Sequence, residues 1–151
     1  MESPTISLMP WVYNDGGRSK YYSGDEYDSI TRSISIVTKR DYKEIHDLLE
    51  EYVKKEQLDE RYVNNSPLKV KKDAASNLLK DMGYTWIPTM KFAKGVHVHL
   101  KPDELPNGRL VVNISKHFTA VIDNVINDIY KVDRNGTRAV YGYWIKKDKE
   151  N

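Results

Sequence analysis

The chain has 151 residues, 39% of them hydrophobic and 30% charged, with a net charge of +2. That length points to one domain able to build its own core, and so small a charge calls for neither nucleic acid nor a membrane surface as partner. Cysteine is absent, which excludes disulfides and thiolate metal sites, and no apolar run approaches the ~20 residues that span a bilayer. Met1–Trp11 lacks the basic start and apolar block of a secretion signal, so a cytoplasmic location is the expectation.

Met1–Gly24 is rich in Gly, Ser, Pro, Asn and Tyr and reads as an irregular arm before a domain over residues 25–145. Asp28–Thr38 is ambiguous. Ile30, Ile34 and Val37 fall at helical spacing, Ile30, Ile34 and Ile36 also alternate, and the β-branched content favours a strand. Asp41–Lys54 carries a helical stripe of Ile45, Leu48, Leu49, Tyr52 and Val53, with Asp41 as N-cap and Glu44 completing a capping box. Gln57–Lys71 reads as a polar connection. A further helix is expected over Lys72–Met82, with Gly83 as its terminating glycine.

Beyond Gly83 the period changes to two. Val96, Val98 and Leu100 alternate with His97 and His99. Asn107-Gly108 marks a turn before Leu110–Ile114, and His117–Ile122 and Val125–Tyr130 flank a two-residue turn at Asp123-Asn124. A last strand is expected over Arg138–Ile145, then a disordered tail over residues 146–151. Helices first and antiparallel strands second predict an α+β fold.

Two distant segments carry the candidate chemistry. Asp28-Ser29 stands where a helix would start, and His117 heads a strand that leads through a hairpin to Asp128. If the hairpin turns at Asp123-Asn124, residue 119 faces residue 128 and His117 lies diagonally from Asp128, within side-chain reach. Asp123 and Asp133 compete with Asp128 as the carboxylate that orients the imidazole. His97 and His99 share a strand face, but two ligands do not make a metal site, and no cofactor is called for. The basic runs at Lys69–Lys72 and Lys146-Lys147 read as solvated surface. Asn14-Asp15-Gly16-Gly17-Arg18 lacks the Gly-Lys-Ser/Thr of a phosphate loop and reads as a turn beside the cleft.

In order and spacing these motifs resemble small phage and bacterial proteins of papain-like cysteine-peptidase fold, distantly similar to bacteriocin-processing double-glycine peptidases. The resemblance rests on Asp28-Ser29-Ile30-Thr31-Arg32, on Thr38 to Tyr42, on His117, Asp123-Asn124 and Asp128, and on the closing Val140-Tyr141-Gly142-Tyr143-Trp144. It implies that Asp28–Thr38 is the helix bearing the nucleophile. It further implies an amide hydrolase with Ser29 in the cysteine position, His117 as base and Asp128 as its orienter. Asn14, Ser23 and Asp28 are the candidates for oxyanion or substrate contacts beside the Ser29 N–H. The expected partner is a peptide or protein, in the host cytoplasm if the gene is a phage's.

Serine does not simply replace cysteine in such a site. A thiol near pKa 8.5 can be held as a thiolate by a helix N-terminus and a histidine, whereas a hydroxyl depends on the base during attack. The expectation is therefore little or no turnover, whether as a natural pseudoenzyme or through a deliberate replacement. A phage protein that binds a host protein without catalysis is the alternative.

Overall fold

The computed structural model describes residues 8–23, 28–57, 67–91, 95–96 and 98–146. It is an α+β fold, with three helices packed on a mixed six-stranded sheet. The helices are α1 (Ser29–Thr38), α2 (Tyr42–Gln57) and α3 (Pro67–Asp81). The large sheet holds β1 (Trp11–Tyr13), β2 (Thr85–Pro88), β5 (Arg109–Ile114), β6 (His117–Ile122), β7 (Val125–Asp128) and β8 (Gly142–Ile145). Between β2 and β5, β3 (Met90–Lys91) and β4 (Gly95–Val96) form a separate two-stranded ribbon. The order in the large sheet is β1-β7-β6-β5-β8-β2, parallel only between β1 and β7.

The ambiguous segment is helical because burial outweighs propensity. Every residue from Thr31 to Val37 is buried. A β-branched residue loses a few tenths of a kcal/mol in a helix, whereas burying an Ile or Val side chain returns about 1.5–3 kcal/mol. Three of its hydroxyls are satisfied along the helix itself: Ser33 donates to Ile30 O (3.1 Å), Ser35 to Thr31 O (2.7 Å) and Thr38 to Ile34 O (2.7 Å). At the far end, the Arg109 guanidinium donates to the carbonyls of Ile36 and Val37, satisfying two orphan acceptors with a cation.

The helices cover one sheet face. Ile34, Ile45, Leu78 and Leu79 pack there with Val111, Phe118, Ala120 and Trp144. The opposite residues of the same strands, Leu110, Val112, Ile114, Val121 and Ile126, meet Met9, Leu100, Leu105, Val132 and Val140. Irregular chain thus covers the second face. The hairpin turn falls at Asp123-Asn124, both with positive φ (46° and 65°) and with Ile122 opposite Val125, as a two-residue hairpin loop requires. Helix α3 closes on Gly83 (φ 91°), where Gly83 N–H bonds Lys80 O and Tyr84 N–H bonds Leu79 O, the pairing of a Schellman motif.

Several boundaries differ from expectation. The N-terminal segment is not wholly irregular, because Trp11–Tyr13 joins the sheet and Arg18–Lys20 forms a 3-10 turn. Three residues are too few to show a period, and the surrounding Pro, Gly and Asn hide them. Helix α3 starts at Pro67, five residues before its expected start, since proline is well suited to the first helical position. Glu44 pairs with Arg40 rather than with the Asp41 N–H. The expected last strand shortens to β8; upstream of it the described residues form the isolated bridge His99↔Ala139 and single backbone hydrogen bonds such as Val140 N–H to Val98 O and Tyr141 N–H to Asn113 O. His97 lies outside the described residues.

Gly142 opens β8 for a steric reason. A Cβ there would sit 2.3 Å from the Trp86 ring and 2.9 Å from Ile87 O. Trp86 leans over it to meet Trp144, ring centroids 5.3 Å apart. Gly142→Ala is expected to destabilise the fold by about 1–3 kcal/mol through overpacking. Chemical denaturation followed by Trp fluorescence measures it, and an unchanged midpoint would refute this packing.

Candidate active site

The site forms where β7 leaves β6. The last paired residues of that ladder are Ala120↔Asn127. On the other side His117 pairs with Ile114 to close the β5–β6 turn, so the next N–H, that of Phe118, faces β7. With β7 turning away, this N–H has no ladder partner. It donates instead to Ser29 Oγ at 3.2 Å. Ser29 is the first residue of α1, at the positive end of the helix dipole.

His117 and Asp128 meet as the register requires. His117 Nε2 lies 2.8 Å from Asp128 Oδ2, and Thr119 Oγ1 donates to the same oxygen at 2.7 Å. Ile129 N–H donates to Asp128 Oδ1 at 2.7 Å, which turns the chain out of β7. Burial pushes the Asp128 carboxyl up. The hydrogen bonds from His117 and Thr119 and the charges of His117 and Arg32 outweigh it, holding the group below its ordinary value. A depressed carboxyl contributes stability above its unfolded pKa of about 3.9, and that contribution is lost as pH falls through the folded value. Below pH 4 the protein should therefore lose stability more steeply than Asp128→Asn, measured as unfolding midpoint against pH. Parallel curves would mean that Asp128 adds nothing to acid sensitivity.

Of the competing carboxylates, Asp123 accepts from Gly108 N–H at 2.8 Å at the hairpin tip. Asp133 is buried, and its carbonyl takes the Gly136 and Arg138 N–H groups. Asp128 is thus the carboxylate on His117. Asn14 lines the crevice but spends its amide locally, donating to Asn127 Oδ1 (3.2 Å) and accepting from Gly16 N–H (2.9 Å). Ser23 is exposed and lies outside the crevice lining.

Asp28 is neither an oxyanion donor nor a side-chain cap of α1. Its carboxylate is already fully engaged. It pairs with Arg32 one turn on, takes Arg18 Nε at 2.8 Å, and accepts from Tyr42 OH at 2.6 Å. Burial and Asp28 together push the Tyr42 hydroxyl well above its ordinary value. Arg32 also reaches Asp128 Oδ1, at 3.6 Å. Sequence reading missed Thr119 and the Arg18–Asp28–Tyr42 cluster. The hairpin register already placed Thr119 opposite Asp128, and the i, i+4 spacing of Asp28 and Arg32 signals their pair.

Ser29 and His117 share no hydrogen bond among the described residues; the serine meets the peptide N–H beside the histidine. Alternation explains this. Phe118 and Ala120 point to the helices, so His117 and Thr119 take the other side with Val121. The crevice between α1 and β6, lined by Ser29, Arg32, Ser33, Ile36, Phe118 and Asp128 among others, is narrow and has no water-sized space. On the outer face of α2, His46, Asp47 and Glu50 cluster near the surface, with Lys43 on Asp47. Comparison with protein-family models, with curated proteins and with solved structures finds no match to this chain.

Proposed function

We propose that this is a papain-like domain related to cysteine peptidases, with Ser29 in the nucleophile position, and that it turns over peptides slowly or not at all. One observation carries the reading. A His117–Asp128 pair at 2.8 Å sits one residue from the peptide N–H that holds the hydroxyl of the first residue of α1. With Nε2–H donated to the carboxylate, Nδ1 is left unprotonated and is the nitrogen able to act as base. For catalysis the His117 ring, which lies on the sheet face away from the helices, would have to turn toward α1; Nδ1 would then take the hydroxyl proton as Oγ bonds to an amide carbon. The imidazolium would then return that proton to the departing amine, leaving an ester on Ser29. The Ser29 N–H would face the developing oxyanion. A hydroxyl, unlike a thiol, is not ionised beforehand, and this one already spends a lone pair on Phe118.

The test is alkylation of Ser29→Cys by iodoacetamide, with and without His117→Ala. Rapid labelling that depends on His117 supports the reading, and labelling at the rate of an unactivated thiol in both backgrounds overturns it.

The absence of water-sized space in the crevice favours a second reading, a non-catalytic protein that binds a host protein. The exposed side chains of the edge strand, Trp11, Val12 and Tyr13, offer such a contact. Failure of Ser29→Cys to label would make this the better account.

A further inference from the structure

The site contains a buried cation that the hydrolytic reading does not use. Arg32 is 4% exposed and stands between two carboxylates that are themselves nearly buried, Asp28 at 10% and Asp128 at 3%. Its Nη1 pairs with Asp28 Oδ1, and its Nη2 lies 3.6 Å from Asp128 Oδ1, an ion-pair distance too long for a direct hydrogen bond. Asp28 is held on its other oxygen by Arg18 and Tyr42. Two arginines therefore face two carboxylates, and the cluster is electrically balanced when the imidazole is neutral.

We propose that Arg32 is the positioning residue of this site: anchored by Asp28 at the start of α1, its guanidinium stands at ion-pair distance from Asp128 Oδ1 and holds toward α1 the carboxylate whose other oxygen takes His117. The groups facing Asp128 are His117 and Thr119 from β6, Arg32 from α1, and the N–H groups of Ile129 and Tyr130 beyond β7. Among these Arg32 is the only permanent charge, and it alone comes from the element that carries Ser29. One side chain thus ties Asp128 to the nucleophile helix and adds a smaller charge effect to the hydrogen bonds from His117 and Thr119 that favour its ionised form. Lysine would keep the charge but lose the planar fork that faces two carboxylates at once.

This assignment does not depend on whether Ser29→Cys reacts, so the two fail separately. Its test is the titration of Asp128 in the full chain, followed through the 13C signal of its carboxyl in wild type, Arg32→Gln and Arg32→Lys. Loss of this cation should move the midpoint up by about one pH unit in Arg32→Gln, the low end for a cation beside a carboxylate, and Arg32→Lys should recover part of that shift. A purely structural arginine would leave the midpoint where it is, and an unmoved Asp128 in folded Arg32→Gln overturns the proposal. If Arg32→Gln does not fold, the wild type decides. Separate 15N signals for the two Arg32 Nη groups mean a held guanidinium, and a single averaged signal overturns the proposal.

Discussion

Asp28→Ala is expected to remove about 3–5 kcal/mol of stability, the usual cost of taking one partner from a buried ion pair. The cost comes from what remains. Arg18 and Arg32 would lose the carboxylate they share, and Tyr42 OH would lose its acceptor. Against a typical total of about 5–15 kcal/mol, that is enough to leave the protein marginal. Asp28→Asn should cost less, because an amide oxygen can still accept from Tyr42 or one arginine. Urea unfolding followed by tryptophan fluorescence measures both. A loss below about 1 kcal/mol for Asp28→Ala would mean that water reaches the two arginines, and the cluster would then not be a buried hub.

Ser29→Cys should create a thiol that iodoacetamide attacks about tenfold faster at pH 6 than an unactivated one. An ordinary thiol of pKa about 8.5 is only about one part in 300 thiolate at that pH. A helix N-terminus, the Phe118 N–H and an imidazolium partner would together make the thiolate the major form, a gain of roughly 200-fold. Lower basicity takes back a factor of about 15–30 over three pKa units, leaving the tenfold net effect. The shape of the profile is the firmer readout. The rate should stay nearly flat from pH 8 down to pH 6 instead of falling about tenfold per unit. His117→Ala should restore the falling profile. A steep profile with His117 in place would separate Ser29 from the His117–Asp128 pair and leave the constellation without chemistry.

Much of this site could be read from the sequence because its parts obey short-range rules. The Asp123-Asn124 turn fixes the β6–β7 register, and the register alone brings His117 and Thr119 to Asp128. The α1 segment was undecided on periodicity because Ile30, Ile34 and Val37 fit one period while β-branching argued for the other. Burial on nearly all sides decides for the helix. The partners of Asp28 and Asn14 are not legible in the sequence, for a common reason. A short polar side chain beside a helix start or a turn has several possible partners, and the choice falls to residues remote in sequence, Arg18 and Tyr42 for one, Asn127 for the other. Strand β1 was invisible because its partner lies at the opposite end of the chain.

That last pairing sets the order in which the molecule can be made. Trp11 donates its indole N–H to Asp128 O across 117 residues of chain, and Asn14 N–H reaches the same carbonyl. At a synthesis rate of about 5–20 residues per second, β1 waits on the order of ten seconds for β7 to emerge. Helices α2 and α3, whose contacts are mostly local, can pair well before that. Asn14, Ser29 and Asp128 converge only when the final third of the polypeptide closes on the first, so the constellation cannot assemble before β7 has emerged. While the chain is growing it exists only as separate pieces.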